Sequence, residues 1–181
     1  MRKLIKEDHP LLHHRCDLFN FRNPQMETDQ LHDVLLECMV HYDGIGLSAN
    51  QIGYPYKVFA MNHEGNAMVI YNPRVVETST EDVGMEEGCL TYPGLYVNIR
   101  RPKSLSLQWW DKDNEKYQGY FSDLSARVIL HEMDHMLGKV FYEGKSEYAM
   151  RQAQQKRKIH LREMKKRKHV LYQSYIENKE K

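Results

Sequence analysis

His131-Glu132-Met133-Asp134-His135 is the stretch on which the reading of this chain turns. Histidines at positions i and i+4 stand one above the other on a helix. Both imidazoles can then reach a single metal ion without distorting the backbone, with Glu132 projecting beside them. A divalent ion lowers the pKa of water from about 15.7 toward 7, and a neighbouring carboxylate can take the proton. That is a minimal kit for hydrolysing an unactivated carbonyl. The same pattern also arises by chance on surface helices. Leu124, Val128 and Ile129 argue against chance, because they predict a helix, starting near Asp123 and stopped by Gly138, that is partly buried.

A catalytic site of this kind needs a third protein ligand and one open position. Downstream stand Glu143, Glu147, His160 and His169, the last two inside a strongly basic tail. Upstream stands Cys89, in the glycine-bounded segment Glu86-Glu87-Gly88-Cys89-Leu90-Thr91-Tyr92-Pro93-Gly94, which reads as a tight turn. A lone cysteine is more often a buried thiol than a ligand. Beside two histidines, Cys89 is the best candidate, because thiolate and imidazoles suit a borderline ion such as Zn²⁺ or Fe²⁺.

A further glycine-rich stretch is Gly44-Ile45-Gly46-Leu47-Ser48-Ala49-Asn50-Gln51. It lacks the Lys-Ser/Thr ending of a phosphate-binding loop and the spacing of a dinucleotide fingerprint. Two glycines around one apolar residue permit another backbone to approach closely. Pairing with an extended peptide suits an amide hydrolase, and Gln51 offers an amide donor to a developing oxyanion.

Around these segments the pattern is α+β: short strand-like runs between helices, without regular β-α-β alternation. An amphipathic helix is expected from Thr28, as N-cap, to Tyr42, with Leu31, Val34, Leu35, Cys38 and Met39 on one face. On that face Cys38 reads as a small core hydrophobe. Strands are expected over 57–61, 67–71, 74–78, 96–100, 104–110 and 116–122, the last two joined by a turn at Asp111-Lys112-Asp113-Asn114. Trp109 and Trp110 are adjacent and so point to opposite faces. A long polar helix is expected from Ser146 to about Ile176. The 181 residues suit one catalytic domain, 1–145, and a basic helical extension, 146–181. A 41% hydrophobic content excludes a disordered chain. No apolar stretch suits a signal peptide or a membrane span. Three cysteines, Cys16, Cys38 and Cys89, make a poor disulfide framework and suit a reducing compartment. From Met150 onward there are eleven Lys and Arg against three Asp and Glu, whereas the preceding residues hold fifteen against twenty-two. An acidic body with a basic tail invites a polyanionic partner for the tail, or simply a solvated helix.

Together the three motifs resemble those of the peptide deformylases, which remove the formyl group from the formyl-methionine of nascent chains. The family pattern is a Gly-apolar-Gly-apolar-Ala-Ala-x-Gln loop, then Glu-Gly-Cys-Leu-Ser, then His-Glu-x-Asp-His. Here these fall at Gly44–Gln51, Glu87–Thr91 and His131–His135, within a resemblance running from about Ile5 to Tyr142. It implies antiparallel sheets packed around a central metal-binding helix. It implies Cys89, His131 and His135 as ligands of one ion, Fe²⁺ foremost, with Zn²⁺, Ni²⁺ or Co²⁺ able to replace it. It makes Glu132 the general base and then acid, and gives the oxyanion the Gln51 side chain and the Leu90 N–H. The backbones of Ile45, Gly46 and Gly88 would pair with the peptide. Ser48, Thr91 and Leu130 depart from the usual Ala, Ser and Gln, and none is a ligand or the base. Arg127, one turn before His131, is expected either at the rim of the pocket or paired with an acid.

The tail is similar to that of bacterial members whose C-terminal helix docks on the ribosome. Here Lys156-Arg157-Lys158 and Lys165-Lys166-Arg167-Lys168 would supply the charge. The expected partners are thus a formyl-Met peptide and the ribosome, with neither DNA nor membrane, and the expected compartment is the cytoplasm. Two alternatives stand beside this: a related metallohydrolase of other N-acyl peptides, and a non-catalytic RNA-associated metal protein. The second gives no reason for a base at Glu132.

Overall fold

The structure is a computed structural model that describes residues 2–179, with side chains described to residue 166. The side chains of Arg167, Lys168 and His169, part of the tail's charge, lie outside the described residues. Seven strands and three α-helices follow in chain order: α1 (Thr28–His41), β1 (Gly46–Ser48), β2 (Val58–His63), β3 (Asn66–Thr78), β4 (Asp82–Cys89), β5 (Tyr92–Pro102), β6 (Ser104–Trp110), β7 (Lys116–Ser122), α2 (Asp123–Met136) and α3 (Glu147–Lys179). Every pairing between these strands is antiparallel. One sheet has the order β1-β2-β3-β6-β7, and β4-β5 form a separate ribbon. This is an α+β arrangement of antiparallel sheets and helices.

The five-stranded sheet has an apolar layer on each side. Leu31, Leu35, Cys38 and Met39 of α1 pack with Leu47, Val58, Ala60 and Tyr71 on one side. On the other, Phe59, Met61, Ile70 and Leu107 pack with Ala126, Val128 and Ile129 of α2. The alternation of Phe59 and Met61 against Val58 and Ala60 is the two-residue period of a strand covered on both faces. A third cluster joins Tyr92, Leu95, Val97 and Ile99 of β5 to Phe141 and to Ala153 of α3.

Several details differ from the expectations. Thr28 is the first residue of α1; the cap position is Glu27, whose side chain makes no capping hydrogen bond. The runs 67–71 and 74–78 are one strand, β3, with an irregular register between Tyr71 and Arg74, where Pro73 has no N–H to give the ladder and Asn72 takes a φ of 48°. β5 begins at Tyr92 rather than residue 96. The Cys89 segment is the end of a strand paired with β5, with the turn confined to the step from Cys89 to Tyr92. Leu124 is half exposed rather than buried. Gly138, at a φ of 72°, follows the end of α2, and a Cβ there would stand 2.8 Å from the His13 backbone.

Candidate metal centre

α2 presents His131 and His135 from one side, and the end of β4 brings Cys89 to meet them. One donor atom from each of the three lies within 4.8 Å of the others, and Cys89 Sγ is 3.2 Å from His135 Nε2. Donors at tetrahedral angles on one ion, with bonds of about 2.0–2.3 Å, stand about 3.3–3.6 Å apart, so the Cys89–His135 pair is near that spacing already and the widest pair would close by about 1 Å. His131 and His135 are buried, whereas Cys89 is partly open to a cleft of about 860 Å³. Glu132 is buried in the wall of that cleft, and its Oε2 has no hydrogen-bond partner among the described residues. A buried carboxylate oxygen left so calls for a group that the protein does not itself supply.

The charges around the donors are arranged for a cation. His131 Nδ1 is 3.0 Å from Glu87 Oε2, which leaves its other ring nitrogen for the donor cluster. Glu87 also accepts two hydrogen bonds from Arg101, of 2.7 and 2.9 Å, and one of 2.7 Å from Arg127. Burial opposes charge on Glu87, yet the hydrogen bonds from His131, Arg101 and Arg127 hold its carboxyl down to about 2. Arg101 reaches on to Asp134 at 2.7 Å, tying β5 to α2. Burial works against a charged His131, but Cys89 and Glu87 overcome it and raise the imidazole to about 10. His135, buried and beside His131 and Arg101, is pushed well below the ordinary histidine range, which keeps it neutral and able to ligate. Burial raises Glu132 to about 7, against the pull of His131 and Arg101.

The Gly44–Gln51 loop forms the opposite wall. Gly46 lies against Glu132: a Cβ on it would stand 2.5 Å from Glu132 Oε1 and 2.8 Å from Val128 Cγ1. The Gln51 amide nitrogen points at Cys89 Sγ, 3.3 Å away, and donates to Thr91 Oγ1 at 3.1 Å. Its oxygen accepts from the Ser48 N–H at 2.8 Å, which fixes the amide's orientation. Thr91 thus offers the hydroxyl that a serine would. Ser48 Oγ meets Asn50 Oδ1 at 2.9 Å, and Asn50 Nδ2 donates to the His135 carbonyl at 2.7 Å. Ile45, Gly46, Gly88 and Leu90 all line the cleft. Arg127 pairs with Glu87, the acid-pairing role of the two expected for it, while also bordering the cleft.

The site network holds three residues to which the sequence reading gave no role: Glu87 and Asn50, which lie within the motif segments, and Arg101, which lies outside them. Arg101 had a signal. It shares strand parity with Leu95, Val97 and Ile99 and is buried like them, and an arginine at an inward strand position needs an internal acid.

A thiolate and two imidazoles that could hold one ion, with a buried carboxylate at their side, define a mononuclear metal-dependent hydrolase. Residues 1–150 match the family described as Polypeptide deformylase. A peptide deformylase of Rhodopirellula baltica is 32% identical over 157 residues, 82% of this chain and 75% of that one. The chloroplastic peptide deformylase 1B of rice is 35% identical over 149 residues, 80% of this chain but only 55% of that longer one. Among solved structures, a peptide deformylase from Legionella pneumophila superposes with a TM-score of 0.80 at 25% identity, covering 91% of this chain and 97% of that one. The Thermotoga maritima enzyme gives 0.75 at 28%, covering 81% and 98%. The chain belongs to the polypeptide deformylase family, metal-dependent hydrolases that remove the N-formyl group from nascent peptides.

Proposed function

We propose that this chain hydrolyses the N-terminal formyl amide of formyl-methionyl peptides and no other bond, with α2 as its metal-binding helix and Cys89, His131 and His135 as the ligands of one divalent ion. The observation that carries the reading is the buried Glu132 carboxylate, set beside those three donors with one oxygen unpartnered. Fe²⁺ is the native ion in this reading, and Zn²⁺, Ni²⁺ or Co²⁺ can take the same donors. Bound there, such an ion would act as a Lewis acid toward the formyl oxygen and make hydroxide available near neutral pH.

The protein groups do the rest. Glu132 takes a proton from the attacking water and returns it to the nitrogen of the leaving amine. A carboxyl raised toward neutrality by burial suits both directions. The Gln51 amide, already held by Ser48 and Thr91, and the Leu90 N–H donate to the oxyanion; each such donor contributes about 3–4 kcal/mol in hydrolases where it has been removed. The backbones of Ile45, Gly46 and Gly88 hold the extended peptide across the cleft. Residues 1–145 carry this chemistry.

α3 extends it with a basic helix suited to the ribosome, through exposed Lys156, Lys158, Lys165 and Lys166. Arg157 is not part of that face, because it pairs with Glu7 of the body. Action on nascent chains fits the cytoplasm, and no described helix is long and apolar enough to cross a membrane. The test is hydrolysis of formyl-Met-Ala-Ala and acetyl-Met-Ala-Ala by anaerobically prepared, metal-loaded protein. Release of formate alone is the expected result. Acetate release at a comparable rate would mean a broader N-acyl hydrolase, and no turnover of either would end the proposal.

A further inference from the structure

We propose that α3 forms the far wall of the substrate cleft, with Met164 receiving a large apolar side chain of the peptide just beyond its formyl-methionine. This rests on the deformylase reading and adds to it a preference that the catalytic body alone does not carry.

The cleft that holds Cys89 and Glu132 is also lined by Met164, from the middle of α3. Met164 is 42% exposed, and Tyr96 beside it in the lining is 52% exposed. Large apolar side chains left open inside a concave site mark a place for an apolar ligand group. α3 is held there by contacts of several kinds. Ala153 is buried against β5, and Arg157 makes two hydrogen bonds of 2.9 and 3.0 Å to Glu7 and a third, of 3.0 Å, to the Pro93 carbonyl. One turn on, His160 sets its ring edge-on to Tyr96, with centroids 6.4 Å apart. It also covers Gly94, where a Cβ would stand 3.0 Å from its Cδ2. Met164 follows His160 by four residues and so lies on the same face.

A line of contacts therefore joins the donors to the rim. Tyr96 lies over Gly88, whose added Cβ would be 2.7 Å from its ring, and Gly88 adjoins Cys89. From His160 to Met164 the helix rises about 6 Å, and an extended peptide advances about 3.3 Å per residue. In this proposal Met164 meets the first or second residue after the methionine.

The experiment compares formyl-Met-Ala-Ala with formyl-Met-Leu-Ala and formyl-Met-Ala-Leu. The wild-type enzyme is expected to favour at least one leucine peptide in kcat/KM. Met164→Ala is expected to lower that preference about five-fold, chiefly through KM. Ile159→Ala, exposed on α3 and outside the cleft wall, is expected to keep it. A second measurement does not depend on turnover. In zinc-loaded protein with labelled methionine methyl groups, the Met164 signal, assigned by its loss in Met164→Leu, is expected to shift on adding the corresponding product peptide. An unaltered preference in Met164→Ala, or an unmoved Met164 methyl, would overturn the α3 wall. Absence of turnover with a shifted Met164 methyl would instead overturn the deformylase reading and leave the wall standing.

Discussion

The candidate metal centre and α3 are both rich in charge, and they use it in opposite ways. At the centre, Glu87 is buried and answers two arginines and a histidine, so each charge fixes several elements at once. Along α3 the described lysines face water, and among the described residues Arg157 alone, with its acid partner half open, ties charge on the helix to the body. Desolvated, hydrogen-bonded charges are costly to break, whereas exposed ones are screened and worth little singly. The centre is therefore set by mutual constraint. The helix is set by apolar burial at Ala153, by the bonds of Arg157 to Glu7 and Pro93 and by His160 against Tyr96 and Gly94, while its described lysines stay free to present charge outward.

The largest effect should come from within the centre. Glu132→Gln is expected to lower kcat about 10²–10⁴-fold while metal analysis shows a full complement; retained activity would remove its role as base. Next, Glu87→Ala should cost about 3–5 kcal/mol in denaturant unfolding, because Arg127 would be left buried without a counter-charge and Arg101 with Asp134 alone. It should also weaken metal binding about 10–100-fold by releasing His131. A loss under 1 kcal/mol would place the network on the weak side of the comparison.

Thiol labelling reads how closed the two interiors are. Burial, with Asp17 adding to it, raises Cys16 to about 11, so at pH 8 only about one in a thousand of its thiols is ionised. In metal-stripped, folded protein Cys89 should be alkylated first, with Cys16 and the buried Cys38 silent until unfolding. Equal labelling of all three would contradict the closed core. The smallest effect belongs to the tail: Arg157→Ala should cost about 1 kcal/mol or less and increase hydrogen exchange in α3 while leaving α2 protected.

The same contrast governed what could be read from sequence. α1, α2 and the β6-β7 hairpin announced themselves by periodicity and by the turn residues Asp111 to Asn114. β4 did not. Gly84, Glu86, Glu87 and Gly88 have poor strand propensity, and it is pairing with β5 and the charges converging on Glu87 that make them a strand. Cys89, His131 and His135, which the fold brings together, could be picked out because metal chemistry demands particular atoms at particular spacings. Arg101 and Asn50 were not singled out, since their partners lie 33 and 85 residues away, and separations of that size are set by tertiary packing. The basic composition of α3 was plain, but no pattern in it indicated that Met164 would border the cleft.

The hydrogen bond from Asn50 to the His135 carbonyl has a consequence in time. Its partners are 85 residues apart, and at a synthesis rate of about 5–20 residues per second the loop waits about 4–17 s for the helix to be made. Through that interval the Asn50 amide lacks the acceptor that later fixes it, and the carboxylate destined for Gly46 does not yet exist. Competence therefore arrives in a single late event, when α2 closes onto the sheet. A chain halted before that helix would hold Cys89, Gln51 and all seven strands, but neither histidine, no Glu132 and no cover for one face of the sheet.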